Sequence, residues 1–442
     1  MTQCSKEAIE FRGVRGRRLL ADFEGGRLTS DAGALLLGEV DRRTGLFDAI
    51  CDCIPDPRDP RYTWHDQRDM LAQRILAIAL GYEDLNDHET LRDDASLQVA
   101  SHVDPDRDFP LASPSTLCRL ENRVTRKAMF EMSGVLVDQF LTAYETPPEE
   151  IVLDFDATDD PLHGEQEGRF FHGYYKHYCF LPLYVFCGEH LLCSYLRPSN
   201  IDAAKHSRAI LKLLVDRIRQ VWPEVKIIVR GDSGFCRWRL MRWCEKHDVS
   251  YIFGLARNQV LERLLSPLME QAEQQYQQSE QKQRLFADVQ YAAQSWNRKR
   301  RVIMKAEYLP KGTNPRFVVT NLSGDAQTLY DELYALRGDM ENRIKEQQLM
   351  LFADRTSCHE FQANQFRLLL SSCAYVLVQS LRRIALADTK LAKAQVSTIR
   401  LKLFKVAARV TTSVRRIVFH FASQYPYQDL FRQIHLALID SG

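Results

Sequence analysis

Apolar residues recur at helical spacing through the first third of the chain. Residues 66–82 place Met70, Leu71, Ile75 and Ile78 on one side of a predicted helix. Residues 111–124 place Pro, Ser and Thr before their apolar positions, as at a capped helix start. We therefore predict a mainly helical N-terminal region.

The helix predicted over 111–124 is also a candidate DNA-binding element. Arg119 and Arg123 lie away from its apolar stripe. A recognition helix of a helix-turn-helix presents such residues to the major groove. A plain amphipathic helix with a solvated basic face explains the same pattern, and both interpretations stay open.

After the linker at 146–150, β-branched and apolar runs replace the helical pattern. The predicted order is three strands, helix, strand, helix, strand. The strands are predicted at 151–156, 177–187, 191–196, 225–229 and 249–255, and the helices at 200–221 and 238–247. This order is that of a ribonuclease-H-like fold, so we predict the α/β class.

A Gln- and Glu-rich segment followed by a basic cluster interrupts this pattern before a strand at 317–321 and a helix at 328–350. We therefore predict a ribonuclease-H-like core with an inserted subdomain, flanked by helical terminal regions. The predicted regions are a helical DNA-binding region at 1–145, the first part of the core at 146–255, an inserted subdomain at 256–315, the second part of the core with a glutamate-bearing helix at 316–380, and a basic helical region at 381–442.

Composition and charge narrow the class of protein. An apolar fraction of 45% and a charged fraction of 26% are typical of a globular chain. The net charge is only +1, but residues 381–416 hold ten Lys or Arg and one acid. Such a basic stretch favours a nucleic-acid partner. Eleven cysteines without a C-x-x-C motif predict reduced, mostly buried thiols.

The longest apolar stretch, 368–381, is shorter than the roughly 20 residues that span a bilayer. The N-terminus lacks a hydrophobic segment of the secretory kind. We therefore expect no membrane partner and a cytoplasmic location, associated with the nucleoid.

Three acidic residues stand where a metal site could form. Asp156 and Asp232 each follow an apolar strand, and Glu341 lies on the later predicted helix. Carboxylates are the ligands that Mg²⁺ prefers, and two such ions promote phosphodiester chemistry. Asp154 shares a strand face with Asp156 and is the candidate supporting residue. The alternative is that acidic residues end strands because turns follow.

The predicted helix also groups polar residues by its period. Tyr334, Arg337 and Glu341 fall at i, i+3 and i+7, which is one helical face. A Tyr and an Arg beside a metal-binding Glu would suit contact with a DNA backbone. Ordinary charge pairing on a surface helix is the competing explanation.

Beyond these residues, the chain resembles the DDE transposases of bacterial insertion sequences. It is most similar to the branch with a Tyr, Arg, Glu, Lys signature and, within it, to insertion-sequence family thirteen-eighty. The motifs that carry the resemblance are at 23–33, 156–158, 230–235, 354–357 and 364–367.

The resemblance implies a metal-binding triad of Asp156, Asp232 and Glu341 that holds two Mg²⁺ ions, with Mn²⁺ as a substitute. It places Tyr334 and Arg337 against the transposon end. The signature lysine falls on Gln348, and Lys345 is the candidate replacement.

The resemblance further implies a cut-and-paste transposase that acts on terminal inverted repeats and target DNA as a homodimer or larger assembly. In the inserted subdomain, Trp296 and the basic residues Arg298 and Arg300 are candidates for binding a flipped base or a hairpin. An ordinary basic hairpin is the alternative there.

Three other functions compete. A ribonuclease-H-like nuclease without strand transfer would need the same carboxylates, and a catalytically inactive DNA-binding derivative is favoured only by Gln348. The run 231–234 echoes the nucleophile motif of serine proteases, but Phe235 replaces the expected glycine and a helix is predicted to follow. We therefore set the protease interpretation aside.

Overall fold

The computed structural model describes residues 8–439. Packing divides the chain into two compact units. Unit 1 is drawn from Met1–Phe47, Asp56–Cys118 and Ser380–Gly442, and unit 2 from Asp48–Pro55 and Arg119–Gln379. The five regions predicted from the sequence stay predictions.

The elements of the first 141 residues are mostly helices. They are β1 Ile9–Val14, β2 Arg17–Ala21, β3 Arg27–Thr29, α1 Ala34–Thr44, α2 Leu46–Asp52, α3 Gln67–Leu80, α4 His88–Leu91, α5 Ala95–Ala100, α6 Pro114–Arg123 and α7 Arg126–Leu141. The predicted helices at 66–82 and 111–124 are confirmed as α3 and α6.

Strands dominate the middle of the chain. They are β4 Glu150–Ala157, β5 Asp160–Pro161, β6 Phe170–His172, β7 His177–Phe180, β8 Leu183–Cys187, β9 His190–Tyr195, β10 Lys226–Gly231, β11 Ser250–Leu255, β12 Gln283–Tyr291, β13 Arg300–Leu309, β14 Gly312–Thr313 and β15 Arg316–Thr320. The helices between them are α8 Ser207–Val221, α9 Trp238–Lys246 and α10 Gln259–Ser279.

The last part returns to helices and ends with a hairpin and a helix. Its elements are α11 Ala326–Thr328, α12 Gly338–Leu351, α13 Phe361–Leu381, α14 Val396–Ile399, β16 Ala408–Ser413, β17 Arg416–Phe421 and α15 Gln428–Ile439. Single 3₁₀ turns include Ser233–Phe235 and Ala335–Arg337, and π-helical turns include Leu329–Tyr334 and Arg400–Phe404.

Unit 1 contains a sheet that the sequence did not predict. Its strand order is β17-β16-β3, all antiparallel. The terminal regions, predicted to be mainly helical, thus also contain strands within 9–29 and 408–421. The β-branched residues Val410, Thr411 and Thr412 of β16 favour a strand, and β3 supplies hydrogen-bond partners from about 380 positions away.

Unit 2 is built on a nine-stranded mixed sheet with the order β12-β13-β15-β11-β10-β4-β8-β9, in which β14 pairs with β13. Strands β4, β10 and β11 run parallel, and the other pairs are antiparallel. The predicted α/β class is confirmed by this mixed sheet. One face packs on a large apolar cluster that includes Leu153, Phe155 and Val229.

Two strands of the segment 256–315, which was predicted as an inserted subdomain, extend this sheet. β13 pairs with β15 over five residues and with β12 over nine. Without β13, the apolar edge strand β15 would expose its backbone hydrogen-bonding groups. Only α10 and the loop at 292–299 depart from the sheet.

Among the described residues, the one segment long and apolar enough to cross a membrane is Phe361–Leu386, and 89% of its most apolar window is buried inside the protein. A core helix has the same length and composition. Five of the ten cysteines in the described part of the chain are buried.

Candidate active site

Two parallel strands bring the first two candidate carboxylates to one edge of the sheet. β4 pairs with β10 in a register that sets Arg230 beside Asp154 and Gly231 beside Phe155. Asp156 and Asp232 are each one position further along. The carboxyl ends of parallel neighbours meet at one edge, so the strand pairing itself fixes the proximity of these two residues.

Asp232 is held by the turn that follows its strand. Its Oδ1 accepts a hydrogen bond of 2.8 Å from the backbone N–H of Gly234. A Cβ atom at position 234 would lie 2.9 Å from that same oxygen. Glycine is therefore required here for the carboxylate to fold back onto the turn.

The third carboxylate reaches this edge from α12. Asp156, Asp232 and Glu341 line one cavity of about 450 Å³, together with Arg337 and Lys345. Residues separated by up to 185 positions in sequence thus share one site, as the sequence predicted.

The helix that carries Glu341 is not the regular helix predicted at 328–350. Residues Leu329–Tyr334 form a π-helical turn and Ala335–Arg337 a 3₁₀ turn before α12 begins at Gly338. The i, i+3, i+7 geometry therefore does not describe Tyr334, Arg337 and Glu341. π-helical turns within helices occur frequently at functional sites.

The cavity carries an excess of negative charge. Burial raises the pKa of Asp156 to about 7; the guanidinium of Arg337 opposes this shift, and the charges of Asp232 and Glu341 add to it. Arg337 donates a hydrogen bond of 2.9 Å to Glu341 Oε1. Three acids against the two cations Arg337 and Lys345 favour the entry of further positive charge.

Tyr334 is partly buried and is not among the residues that line the cavity. A Cβ atom at Gly254 would be 2.6 Å from the Tyr334 hydroxyl and 3.0 Å from the backbone nitrogen of Ser233. The hydroxyl therefore packs against β11 beside the turn that holds Asp232. Burial raises the pKa of Tyr334, so the phenol stays protonated.

Asp154 has a structural partner. Its oxygens Oδ1 and Oδ2 accept hydrogen bonds of 2.5 and 2.7 Å from Nε and Nη2 of Arg230, and both side chains are buried. Arg230 also donates to the carbonyl of Leu333, in the turn before Tyr334. The pair thus connects the central strands to the segment that carries Tyr334. The sequence analysis missed Arg230, although a charged residue inside an apolar strand indicates a buried partner.

Gln348, at the position of the signature lysine, makes hydrogen bonds inside the protein. Its Nε2 donates to Asp160 Oδ1 at 2.6 Å and to the carbonyl of Asp159 at 3.1 Å. Asp160 is completely buried, and burial raises its pKa well above the ordinary value. Gln348 therefore anchors the turn after Asp156, while Lys345 is the exposed amine in the cavity wall.

The other basic candidates lie elsewhere in the fold. Arg298 and Arg300 both pair with Glu245, at 3.0 and 2.7 Å, and the Arg300 side chain is only 2% exposed. This position does not support the prediction that Arg300 contacts DNA. On α6, Arg119 is exposed and Arg123 is half-buried.

The sequence analysis also missed an aromatic wall of the cavity. His172, Tyr174 and Tyr175, from the β6–β7 hairpin, line it. The dense aromatic run at 170–180 was a visible sign in the sequence.

Comparison with known proteins assigns the family. Residues 11–441 match the family described as Transposase DDE domain group 1. The chain is a DDE transposase. The match covers nearly the whole sequence, so it includes both compact units.

Other comparisons add less. The transposase has no match among curated proteins. Among solved structures it is similar to a chain described as a cryo-EM structure of piggyBac transposase in a synaptic complex with hairpin DNA. The identity is 10%, the TM-score is 0.43, and the match covers 86% of this chain and 81% of the other. This degree of similarity supports no further conclusion.

DDE transposases generally use divalent metal ions, and the donor set of the cavity fits such ions. Among residues 8–439 no three His, Cys, Asp or Glu side chains form a ready cage for one metal. Mg²⁺, however, is commonly bound through one or two carboxylates plus substrate phosphates. Asp156 and Asp232 each use one oxygen in a backbone hydrogen bond, to Ala157 and Gly234, and Glu341 uses one with Arg337.

Proposed function

We propose that this transposase cuts DNA at terminal inverted repeats and joins the freed ends to target DNA. The observation that carries the proposal is the convergence of Asp156, Asp232 and Glu341 on one cavity. In a DDE transposase, three hard oxygen donors at the rim of a buried sheet suit phosphodiester chemistry.

Asp156, Asp232 and Glu341 would hold two Mg²⁺ ions, for which Mn²⁺ can substitute. When bound, the ions supply activation of the attacking hydroxyl and stabilisation of the leaving oxygen. The strand ends keep Asp156 and Asp232 at a fixed separation. Glu341 can exchange its hydrogen bond with Arg337 for another ligand, because it lies at the half-exposed start of α12.

The cationic side chains of the cavity would bind the DNA backbone. Arg337 and Lys345 stand four positions before and four positions after Glu341 in the sequence, and both line the cavity. Lys345 thereby takes the place of the signature lysine, since Gln348 is engaged by Asp160. Tyr334 would position the Asp232 turn and contact DNA only through its half-exposed edge.

DNA contacts outside the cavity would come from exposed basic residues, with Arg119 on α6 and Arg298 near the β12–β13 loop as candidates. Arg123 would contribute through its exposed part. We further propose a homodimer or larger assembly on DNA, because two element ends must be cut and joined together.

Two observations support a more specific proposal for the fold of the core and for the insertion-sequence family. The meander β4-β8-β9 and the parallel strands β10 and β11 beside β4 support a ribonuclease-H-like core. The motifs at 23–33, 230–235 and 354–357 support insertion-sequence family thirteen-eighty, and hence a bacterial element whose enzyme acts in the cytoplasm on the nucleoid.

Excision in cells tests the proposal. A marker flanked by the DNA that borders the gene is supplied with wild-type protein, Asp232→Asn or Asp248→Asn. Asp248 is an exposed acid of the same unit outside the cavity wall, so its variant is the matched control. We expect excision by wild type and Asp248→Asn and none by Asp232→Asn at equal protein levels.

Excision by Asp232→Asn would mean that the assigned metal site is wrong. Two further outcomes favour the competing functions. Binding of the ends without any excision favours an inactive DNA-binding derivative. A pre-cut end with a free 3′-hydroxyl, supplied with a plasmid target, separates the third possibility: cutting without joining indicates a nuclease that lacks strand transfer.

A further inference from the structure

The β6–β7 hairpin presents an exposed aromatic ring to the cavity that holds the carboxylates. Tyr174 lies in the loop between the two strands, lines the cavity and is 82% exposed. Solvent-exposed tyrosines of this degree bury little apolar surface within their own protein. The ring of Tyr174 is therefore accessible to a partner that enters the cavity.

The ring is held in place by a stack of supports. Tyr174 packs edge-to-face on Tyr175, with ring centroids 5.0 Å apart. Tyr175 in turn lies between His172, at 4.8 Å, and His177, at 6.1 Å. Both histidines belong to the paired ends of the hairpin, His172 facing His177 across the register.

The stack is anchored to the turn that follows β4, the strand that carries Asp156. His177 Nε2 lies 2.7 Å from Asp159 Oδ2, three residues beyond Asp156. The backbone N–H of Lys176 closes the loop by donating to the His172 carbonyl at 2.8 Å. Tyr174 is thus connected to the turn after Asp156 through Tyr175, His177 and Asp159.

The surroundings of the ring suit a nucleic-acid strand. Lys176 is exposed in the same loop, and Arg169 stacks on the outer aromatic Tyr178 at 4.9 Å. An aromatic face flanked by cations is the arrangement with which proteins hold unpaired bases, since every base has a stacking face and every linkage a charge.

The loop at 292–299, where the sequence suggested base binding, offers no such face. The ring of Trp296 is packed against Tyr291, at 5.6 Å, and under the guanidinium of Arg300, also at 5.6 Å. Trp296 thus packs on both an aromatic ring and a cation of its own protein, whereas Tyr174 contacts Tyr175 at one side and stays 82% exposed.

We infer that Tyr174 stacks on an unpaired base of the DNA strand next to the scissile phosphate and so positions that phosphate over the carboxylates. The inference rests on the proposed function, because it requires a DNA strand in the cavity. Tyr174 is a substrate-binding residue in this role, and its ring rather than its hydroxyl carries the contact.

Cleavage of synthetic element ends tests this inference. Wild type, Tyr174→Ala, Tyr174→Phe and the control Phe130→Ala are compared for kcat/KM. Phe130 is a 61%-exposed aromatic of the same unit that does not line this cavity. We expect Tyr174→Ala to lose roughly tenfold to a hundredfold, the size of one lost base–aromatic stack, and the other two variants to keep near-wild-type values.

A second set of ends decides whether the partner is a base. Each end lacks one base among the nucleotides that flank the cut. At one position, we expect loss of the base to lower the kcat/KM of wild type by the factor that Tyr174→Ala causes on the intact end. Loss of that same base should not lower the kcat/KM of Tyr174→Ala any further. Equal additional losses for both proteins at every position, or full activity of Tyr174→Ala, would overturn the inference.

The proposed function fails separately. If wild type cuts no end at all while Asp232→Asn binds as wild type does, the transposition chemistry itself is absent and the inference falls with it. If wild type cuts and Asp232→Asn does not, the proposed function stands and the result with Tyr174 alone decides the inference.

Discussion

Two aspartates of one strand, Asp154 and Asp156, meet opposite environments. They share a face of β4, since side chains alternate along a strand. The Asp154 side chain is 3% exposed and has both oxygens on Arg230. Asp156 opens into a cavity that it shares with Asp232 and Glu341. The charge of Asp154 is balanced by Arg230 within the fold, whereas Asp156 is accessible to a ligand that enters the cavity.

This difference separates a stabilising acid from a functional one. A buried charge is tolerated only when paired, and Asp154 meets that condition through two hydrogen bonds. The acids of the cavity outnumber its half-buried cation Arg337, and the pKa of Asp156 is raised to about 7 mainly by burial. Uncompensated buried charge lowers stability, and such unfavourable arrangements are expected at functional sites.

The largest expected effect comes from removing charge in the cavity. Asp156→Asn should lower strand cleavage by about 10³-fold or more, because a transition-state contribution of at least ~4 kcal/mol would be lost. The same change relieves repulsion among three acids, so the melting temperature should stay level or rise. Cleavage of labelled ends and thermal unfolding are the two measurements.

The control for this prediction is Asp248→Asn, which changes an exposed acid outside the cavity. It should leave both quantities unchanged. A melting temperature that drops with cleavage in Asp156→Asn would make Asp156 a structural residue like Asp154 and erase the contrast between them.

A smaller loss, in stability rather than chemistry, is expected from Asp154→Ala. Removing one partner of a buried pair leaves Arg230 uncompensated, which typically costs about 3–5 kcal/mol. The free energy of unfolding from urea titration measures this. The double variant Asp154→Leu with Arg230→Met should be more stable than Asp154→Ala, although the Leu333 carbonyl would still lack its donor.

Equal stability of Asp154→Ala and wild type would show that Arg230 needs no counter-charge. Asp154 would then be free to serve the metal site directly. The cleavage rate of the folded fraction of Asp154→Ala distinguishes this outcome, because the pair as described here supports the site only through Leu333 and Tyr334.

The contrast between these acids was only half visible in the sequence. Apolar runs that end in acid predicted β4 and β10, and a parallel pair puts Asp156 and Asp232 at one edge. The choice between Asp154 and Asp156 depends on Arg230, whose partner is fixed by a register across 76 residues. Single-sequence patterns carry no information on such pairing.

The helix of Glu341 shows a second limit. Local composition at 328–350 favours helix throughout, and the irregular π and 3₁₀ turns arise where Tyr334 must reach Gly254. Likewise, β12 and β13 read as an insertion because their partner β15 follows them in sequence. Tertiary pairing, rather than propensity, decides both cases.

The smallest expected effect concerns a buried group that is kept neutral instead of paired. His88, in unit 1, has Nδ1 2.8 Å from Gln73 Nε2 and Nε2 3.3 Å from Arg74 Nη1. The Gln73 amide is oriented by two hydrogen bonds with the Ala112 backbone, so it donates to the ring. Burial, assisted by the charge of Arg74, lowers the pKa of His88 to about 3.

A base whose folded-state pKa lies below its unfolded value contributes stability that is present above the unfolded pKa and is lost as the pH falls toward the folded pKa. For His88 this window runs from about 6.5 down to about 3. At pH 5 the loss should reach roughly 2 kcal/mol, since each pH unit in the window costs about 1.4 kcal/mol.

Urea unfolding at pH 7 and pH 5 measures this loss in wild type and in His88→Gln, which keeps a polar side chain but cannot titrate. Other acids and bases titrate in both proteins, so the difference between them isolates His88. If wild type and His88→Gln lose the same free energy of unfolding between pH 7 and pH 5, protonation of His88 does not destabilise the fold. The prediction that His88 must stay neutral would then be wrong.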